Sequence, residues 1–157
     1  MTDAFDAGSL TYRRVHRAPP ELLFDCMTQP EHLTRFWGPT GTATPAERIR
    51  VDLRPGGVFE TVMVNDADGS EYTMHAVYLE VERPSVLAWV EPGHGMRTTI
   101  TFRDLGDGHT EVVTRQTNVP DAFRSADVRE GFESSLDRFG AYVADLVGDG
   151  SGTKERR

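Results

Sequence analysis

The chain has 157 residues, of which 38% are hydrophobic and 27% charged, and this is the size and composition of one globular domain with a buried core. Its formal net charge of −8 makes nucleic-acid phosphates and anionic membrane surfaces unfavourable partners. The single cysteine, Cys26, excludes an internal disulfide. A signal-like N-terminus and an apolar run of about 20 residues are both lacking, so we expect a cytoplasmic protein.

A strand and two short helices are predicted for the beginning of the chain. Alternating side chains in "SLTYRRVHRA" predict a strand, and the prolines that open "PPELLFDCMT" suit the first turn of a helix. The stretch "PEHLTRFWGPT" predicts a second short helix, which begins with a capping box in which Thr28 and Glu31 exchange hydrogen bonds. Gly38 and Pro39 are expected to end this helix directly after Trp37.

A meander of about six antiparallel strands is predicted for residues 46–118. The apolar residues alternate there with a period of two, and turn sequences such as "RPGG", "NDADG" and "EPGHG" separate the apolar runs. Because the turns are short, consecutive strands must be antiparallel neighbours. The residues predicted to face inward in the second and third of these strands are Phe59, Thr61, Met63, His75, Val77, Leu79 and Val81.

A long amphipathic helix is predicted for the end of the domain. Its apolar residues recur at spacings of four and three positions, which is typical of one helical face. They are Phe132, Leu136, Phe139, Val143 and Leu146. Gly148 is expected to end the helix. One helix can cover a bent sheet but cannot fill its concave face, so we expect a cavity between the two, with its mouth near the short helices.

Five stretches of the chain together carry a family resemblance: "APPELLFDCMTQPEHLTRFWGP", "DLRPGG", "HAVYLEVERPSVLAW", "GDGHTEVVTRQT" and "GFESSLDRFGAYVADL". In this order they resemble the activator-of-heat-shock-protein-90-ATPase homologue-like branch of the START-like superfamily (SRPBCC, or birch-pollen-allergen-like). The resemblance implies an α+β helix-grip fold, in which a curved antiparallel sheet of six to seven strands wraps around a long C-terminal helix, with two short helices after the first strand. We expect a single domain over residues 9–148 and flexible tails at 1–8 and 149–157.

The residues expected to contact a ligand are those predicted to face the cavity. Gln116 shares its strand face with Val112 and Thr114, and a buried amide must pair with a ligand, a water molecule or the backbone. His75 is the only candidate for a catalytic role, and the alternative is a structural histidine that bonds a neighbouring strand. The predicted ligand-binding set is Trp37, Phe59, Met63, His75, Val77, Trp89, Gln116, Phe132 and Phe139.

No cofactor and no metal site are predicted. The "NDADG" stretch lacks the distal glutamate of a calcium loop, and no Walker, dinucleotide-binding or G-x-S-x-G motif is present. Three functions remain open: binding of a small hydrophobic or aromatic molecule without catalysis, cyclase-like or hydrolase-like chemistry at His75, and interaction with a chaperone by family analogy. We expect the first. A homodimer stays open, and neither a nucleic acid nor a membrane is an expected partner.

Overall fold

A curved antiparallel sheet wraps around a long C-terminal helix in the computed structural model, which describes residues 8–149. The strands are β1 (Leu10–His16), β2 (Thr42–Ala43), β3 (Arg50–Val51), β4 (Val58–Asn65), β5 (Glu71–Glu82), β6 (Val86–Glu91), β7 (Met96–Gly106) and β8 (His109–Thr117). The helices are α1 (Pro20–Cys26), α2 (Pro30–Phe36) and α3 (Ala126–Asp149), and 3-10 turns lie at Ala46–Arg48 and Asp121–Phe123. The predicted α+β helix-grip fold, with two short helices after the first strand, is confirmed.

The sheet has eight strands in the order β1-β8-β7-β6-β5-β4-β2, and β3 also pairs with β4. All of these pairs are antiparallel. The sequence predicts one strand fewer because β2 is only two residues long, which is too short for an alternation of side chains to show. Both short strands pair with β4.

The "NDADG" stretch forms the turn between β4 and β5, as predicted. Asn65 accepts the backbone N–H of Ala67 on its side-chain oxygen and that of Gly69 on its carbonyl oxygen, both at 2.8 Å. Gly69 has a φ of 76°, a conformation that glycine adopts without a steric penalty.

The side chains of β5 change faces at a β-bulge. The register of β5 against β6 shifts between Tyr78 and Glu80, so Leu79 is an extra residue without a partner across the ladder. Leu79 and Glu80 are both exposed, whereas Val81 packs against the core. The bulge therefore exchanges the inward and outward faces of the strand.

The predicted inward face of β5 is consequently wrong on the N-terminal side of the bulge. Met74 and Ala76 are 6% and 0% exposed and belong to the core. His75 and Val77 alternate with them and point to the outer face of the sheet. The strict alternation that links His75 to Val81 in the sequence fails because it crosses the extra residue.

The two short helices are not joined by the predicted capping box. Thr28 Oγ1 donates to the carbonyl oxygen of Phe24 at 3.0 Å, so this hydroxyl belongs to the end of α1. The N-cap of α2 is Gln29, whose side chain makes no capping hydrogen bond. The exchange predicted for Thr28 and Glu31 is therefore wrong, and α2 begins with Pro30, which suits a first helical position.

The apolar stripe of α3 faces the sheet, as predicted. Leu136, Phe139 and Val143 are buried, and Phe132 and Leu146 are half-buried at the two ends of the stripe. The helix continues one residue beyond Gly148, to Asp149. Within residues 8–149, no helix combines the length and the apolar character that crossing a membrane requires. The tails predicted at 1–8 and 149–157 lie outside the described residues, apart from their inner ends at 8 and 149.

Candidate ligand-binding cavity

A cavity of about 430 Å³ lies between the inner face of the sheet and α3. Strands β1 and β4 to β8, the end of α2 and the first half of α3 contribute side chains to its wall. All the methionines of the described residues line it: Met27, Met63, Met74 and Met96. Methionine side chains are unbranched and flexible, so they can adapt to guests of different shapes. The cavity expected from the sequence is present.

Most of the residues predicted to contact a ligand lie on this wall. They are Trp37, Met63, Trp89, Gln116, Phe132 and Phe139. Their contact with a ligand stays a prediction. Phe59 lies behind the wall instead, because it is fully buried and its ring packs against the rings of Trp37, Tyr78 and Trp89.

His75 and Val77 lie outside the cavity, so the prediction that they face it is wrong. Both are on the outer face of β5, as a result of the bulge at Leu79. The Nδ1 atom of His75 lies 3.4 Å from Glu60 Oε2, and the His75 side chain is 54% exposed. The only histidine that the sequence placed in the cavity is therefore a surface residue beside an acidic neighbour.

Trp37 is held in the cavity wall by one hydrogen bond and by aromatic contacts. Its Nε1–H donates to Thr61 Oγ1 at 3.1 Å. Its ring centroid lies 5.4 Å from that of Phe59 and 6.2 Å from that of Trp89, at angles typical of tilted or edge-to-face packing. The two tryptophans of the chain thus form one side of the cavity together.

The loop after α2 is fastened to α3 by Arg138. Its Nη1 lies 2.8 Å from the carbonyl oxygen of Gly38, 2.9 Å from that of Pro39 and 3.3 Å from that of Thr42. Gly38 has a φ of 99°, and a Cβ atom there would lie 2.6 Å from Thr42 Oγ1, so the loop requires glycine at this position. These contacts close the side of the cavity that is near the short helices.

The opening of the cavity is marked by the wall residues that remain exposed. They are Tyr72, Asp127, Val128 and Arg129. The last three belong to the first turn of α3, and Tyr72 lies near the start of β5. The mouth is therefore between α3 and β5, and the expectation of a mouth near the short helices is wrong because Arg138 closes that side.

A row of residues with polar groups crosses the wall on three neighbouring strands. Trp89 of β6 pairs with Thr98 of β7, which pairs in turn with Gln116 of β8. Thr98 and Gln116 are 3% and 8% exposed, and neither side chain makes a hydrogen bond with another residue that the structure describes. A buried polar group without a partner is destabilising. Because both residues line the cavity, a guest could supply the missing partner.

Glu91 adds an acidic group to the wall and is the only charged residue among residues 8–149 that is buried. His94 Nε2 lies 3.2 Å from Glu91 Oε1. Because His94 Nδ1 accepts the backbone N–H of Met96 at 3.2 Å, the neutral ring carries its proton on Nε2, beside the carboxylate. Burial raises the pKa of Glu91, and the nearby His94 partly offsets this effect.

Sequence reasoning missed Glu91 and His94 because both belong to the "EPGHG" stretch, and polar residues in a turn with glycine and proline are usually solvated. One pattern in the sequence could have identified Glu91, namely its alternation with Leu87 and Trp89. Leu87 and Trp89 are inward-facing core residues of β6, and two further positions along the same alternation lead to Glu91. The pairing of Glu91 with Met96 keeps it in the ladder, where the alternation still applies.

Glu91→Gln is expected to stabilise the protein at neutral pH. The pKa of Glu91 is raised in the folded state above its unfolded value of about 4.3. The folded protein therefore binds the carboxyl proton more tightly than the unfolded chain does. The resulting destabilisation is absent below the unfolded-state pKa, grows as the pH rises and is complete above the folded-state pKa. Relative to Glu91→Gln, the wild type should lose unfolding free energy between pH ~4 and neutral pH.

Urea unfolding of both proteins at the two pH values measures this difference. The other titratable groups that face Glu91 are His94 and Tyr72, and both are present in each protein. A difference between the two proteins that does not change with pH would contradict the prediction.

The described residues contain no group of three or more His, Cys, Asp or Glu side chains placed to hold a metal ion. The polar side chains of the cavity include the buried Glu91, the uncharged row next to it, and Asp127 and Arg129 at the mouth.

A bent antiparallel sheet that encloses a cavity with one long helix defines a helix-grip protein of the START-like (SRPBCC) superfamily. Within it, residues 17–144 match the profile of the family described as activator of Hsp90 ATPase homolog 1-like protein. This match spans more than half of the chain, so the protein belongs to that family, as the sequence resemblance indicated. No curated protein sequence matches the chain.

Solved structures of bacterial proteins share the fold. A protein from Chromobacterium violaceum is 25% identical, with a TM-score of 0.78 over 85% of this chain and 95% of its own. A protein from Nitrosomonas europaea is 22% identical, with a TM-score of 0.78 over 89% and 96% of the two chains. A protein from Silicibacter pomeroyi described as AHSA1 is 23% identical, with a TM-score of 0.74 over 88% and 99%. These likenesses concern the fold.

Proposed function

We propose that the protein binds a small hydrophobic or aromatic molecule in the cavity between the sheet and α3. The supporting observation is the cavity itself, whose volume of about 430 Å³ falls within the range of about 300–1,000 Å³ that is usual for ligand sites. Protein interiors are normally close-packed, and an apolar void costs the contacts that its lining atoms lack. A guest of matching shape would restore those contacts.

The composition of the wall favours an apolar guest. The wall is mainly apolar and includes the aromatic rings of Trp37, Trp89, Phe132 and Phe139 and four methionine side chains. The few polar groups on β6 to β8 are enough to orient a ligand. They do not form a catalytic constellation to which a reaction can be assigned.

The two other functions have less support. Chemistry at His75 has lost its structural basis, since this side chain is on the outer face of the sheet. A chaperone partner rests on the description of the family, and the cavity neither requires nor suggests one. A cytoplasmic location is part of the proposal, and the free, buried Cys26 thiol, whose pKa burial raises to about 12, is compatible with a reducing compartment.

Ser135→Phe is expected to abolish binding by filling the cavity. Ser135 lines the cavity from α3 and makes only a long contact, at 3.4 Å, with the Gly131 carbonyl oxygen. A neutral probe, naphthylmethanol, should raise the melting temperature of the wild type by a few degrees at about 100 Kd. The variant should show no shift with the same probe, and isothermal titration calorimetry should detect no heat of binding.

Ala141→Phe is the matched control, because Ala141 is on the exposed side of the same helix. It adds the same ring outside the cavity and should bind the probe as the wild type does. Circular dichroism of both variants without ligand shows whether they are folded, and Ser135→Leu offers a smaller obstruction if Ser135→Phe is not. Equal binding by the wild type and a folded Ser135→Phe would contradict the proposal, as would failure of the wild type to bind any neutral aromatic probe.

A further inference from the structure

We propose that the guest of this cavity carries a protonated amine at one end of an apolar body, and that Glu91 binds the amine. This inference rests on the proposed binding function and specifies the chemical class of the ligand. Its basis is a buried carboxylate on a mainly apolar wall, whose other charged residues, Asp127 and Arg129, are at the exposed mouth.

The carboxylate of Glu91 is only partly paired. His94 Nε2 lies 3.2 Å from Oε1, and no other residue from 8 to 149 forms a hydrogen bond or ion pair with this carboxylate. A buried carboxylate is stable only when its oxygens accept hydrogen bonds or face a cation. Since Glu91 lines the cavity, a further partner for the carboxylate would come from the guest.

Thr98 and Gln116 continue the inward face of the sheet beyond Glu91. Glu91 pairs with Met96, which makes Thr98 the diagonal neighbour of Glu91, and Thr98 pairs directly with Gln116. Diagonal neighbours on one face of a sheet are about 7–8 Å apart, and long side chains can bridge this distance. The Thr98 hydroxyl oxygen is therefore the acceptor diagonal to Glu91, and Gln116 lies one strand further along the cavity wall.

An ammonium group fits this set better than an anion or an uncharged acceptor does. It has three N–H donors and a positive charge, which the Glu91 carboxylate can accept; the wall also has a buried donor without a partner, Trp89 Nε1–H. A carboxylate guest would meet the negative charge of Glu91. Tyr72 and Trp89 also line the cavity, and aromatic faces attract cations. The net charge of −8 further favours the approach of a cation.

The experiment compares three probes that share one apolar body: naphthylmethylamine, naphthylmethanol and naphthoate. At neutral pH the amine is a cation, the alcohol is neutral and the naphthoate is an anion. Calorimetric titration of the wild type should give an amine affinity roughly tenfold above that of the alcohol, and naphthoate should bind more weakly than both.

Glu91→Gln is the test variant, because glutamine has the same size without the charge. It should reduce the preference for the amine over the alcohol by roughly tenfold. Glu60→Gln is the matched control: it removes the same charge from the outer face of β4, where Glu60 contacts Arg50 and His75, and should leave all three affinities unchanged.

The outcomes separate this inference from the proposed function. If naphthylmethanol binds but the amine binds no more tightly, the cavity is a ligand site and the assignment of an amine is wrong. The same conclusion follows if Glu91→Gln leaves the preference for the amine intact, or if Glu60→Gln removes it equally. If none of the probes binds, both the proposed function and this inference are overturned.

Discussion

Phe59→Ala is expected to lower the free energy of unfolding by about 3–5 kcal/mol, which is the usual cost of deleting a fully buried phenylalanine ring. Phe59 is 0% exposed, and its ring is stacked on Tyr78 at 5.4 Å and lies 5.0 Å from Trp89 between ring centroids. Neighbouring side chains cannot collapse into the space, because they are large rings fixed by contacts of their own. Urea unfolding followed by tryptophan fluorescence measures the loss.

Phe59→Leu is the control for this prediction, since leucine keeps most of the apolar volume and should cost less than about 1.5 kcal/mol. The two variants also test which side of the wall Phe59 occupies. Phe59 supports Trp37 and Trp89 from behind, so Phe59→Leu should bind naphthylmethanol with nearly the affinity of the wild type. A loss of binding without a loss of stability would place this ring inside the cavity and contradict the structure.

The overall fold could be predicted from the sequence because its elements depend on local patterns. The spacing of the apolar residues determines the stripe of α3, and the turn sequences with glycine determine the antiparallel order of the long strands. The faces of β4, β7 and β8 also follow from alternation, since these strands have no irregularity next to the cavity.

The site could be predicted only where that alternation is unbroken. Gln116 was placed correctly on the cavity wall, whereas one extra residue at Leu79 moved His75 to the opposite face. A bulge is a property of the pairing between two strands, and no residue type in β5 indicates its position. Glu91 was missed for a different reason. It is a polar residue at the end of β6, where the composition of the sequence indicates a turn. Only the pairing of β6 with β7 shows that its side chain points inward.

The capping of the short helices is a third case, in which two local patterns compete for one side chain. Thr28 can begin α2 or close α1, and the sequence contains both options. The hydroxyl bonds the Phe24 carbonyl oxygen, which lies in the last turn of α1 and also accepts the backbone N–H of Met27 at 3.1 Å. The local sequence therefore predicts a helix boundary at this point. It does not predict whether the Thr28 hydroxyl bonds the end of α1 or the start of α2.

Arg138→Met is expected to lower the free energy of unfolding by about 2–3 kcal/mol and to weaken ligand binding. The substitution keeps the unbranched apolar stem and removes the guanidinium that contacts the carbonyl oxygens of Gly38, Pro39 and Thr42. These oxygens then lose a charged donor at a half-buried position, and the loop that adjoins Trp37 loses its main connection to α3. Urea unfolding and calorimetric titration with naphthylmethanol measure the two effects, and the affinity should fall because Trp37 is less firmly held.

Arg14→Met is the matched control, because Arg14 also connects to α3 but does so through an exposed ion pair. Its Nη1 lies 2.8 Å from Asp137 Oδ1, and the Asp137 side chain is 71% exposed. Exposed ion pairs contribute about 0–1 kcal/mol, so this variant should change stability by less than 1 kcal/mol. The contrast tests the role of the loop itself: if Arg138→Met cost no more than Arg14→Met and bound the probe normally, the loop would hold its position without the guanidinium, and the closed side of the cavity would need another explanation.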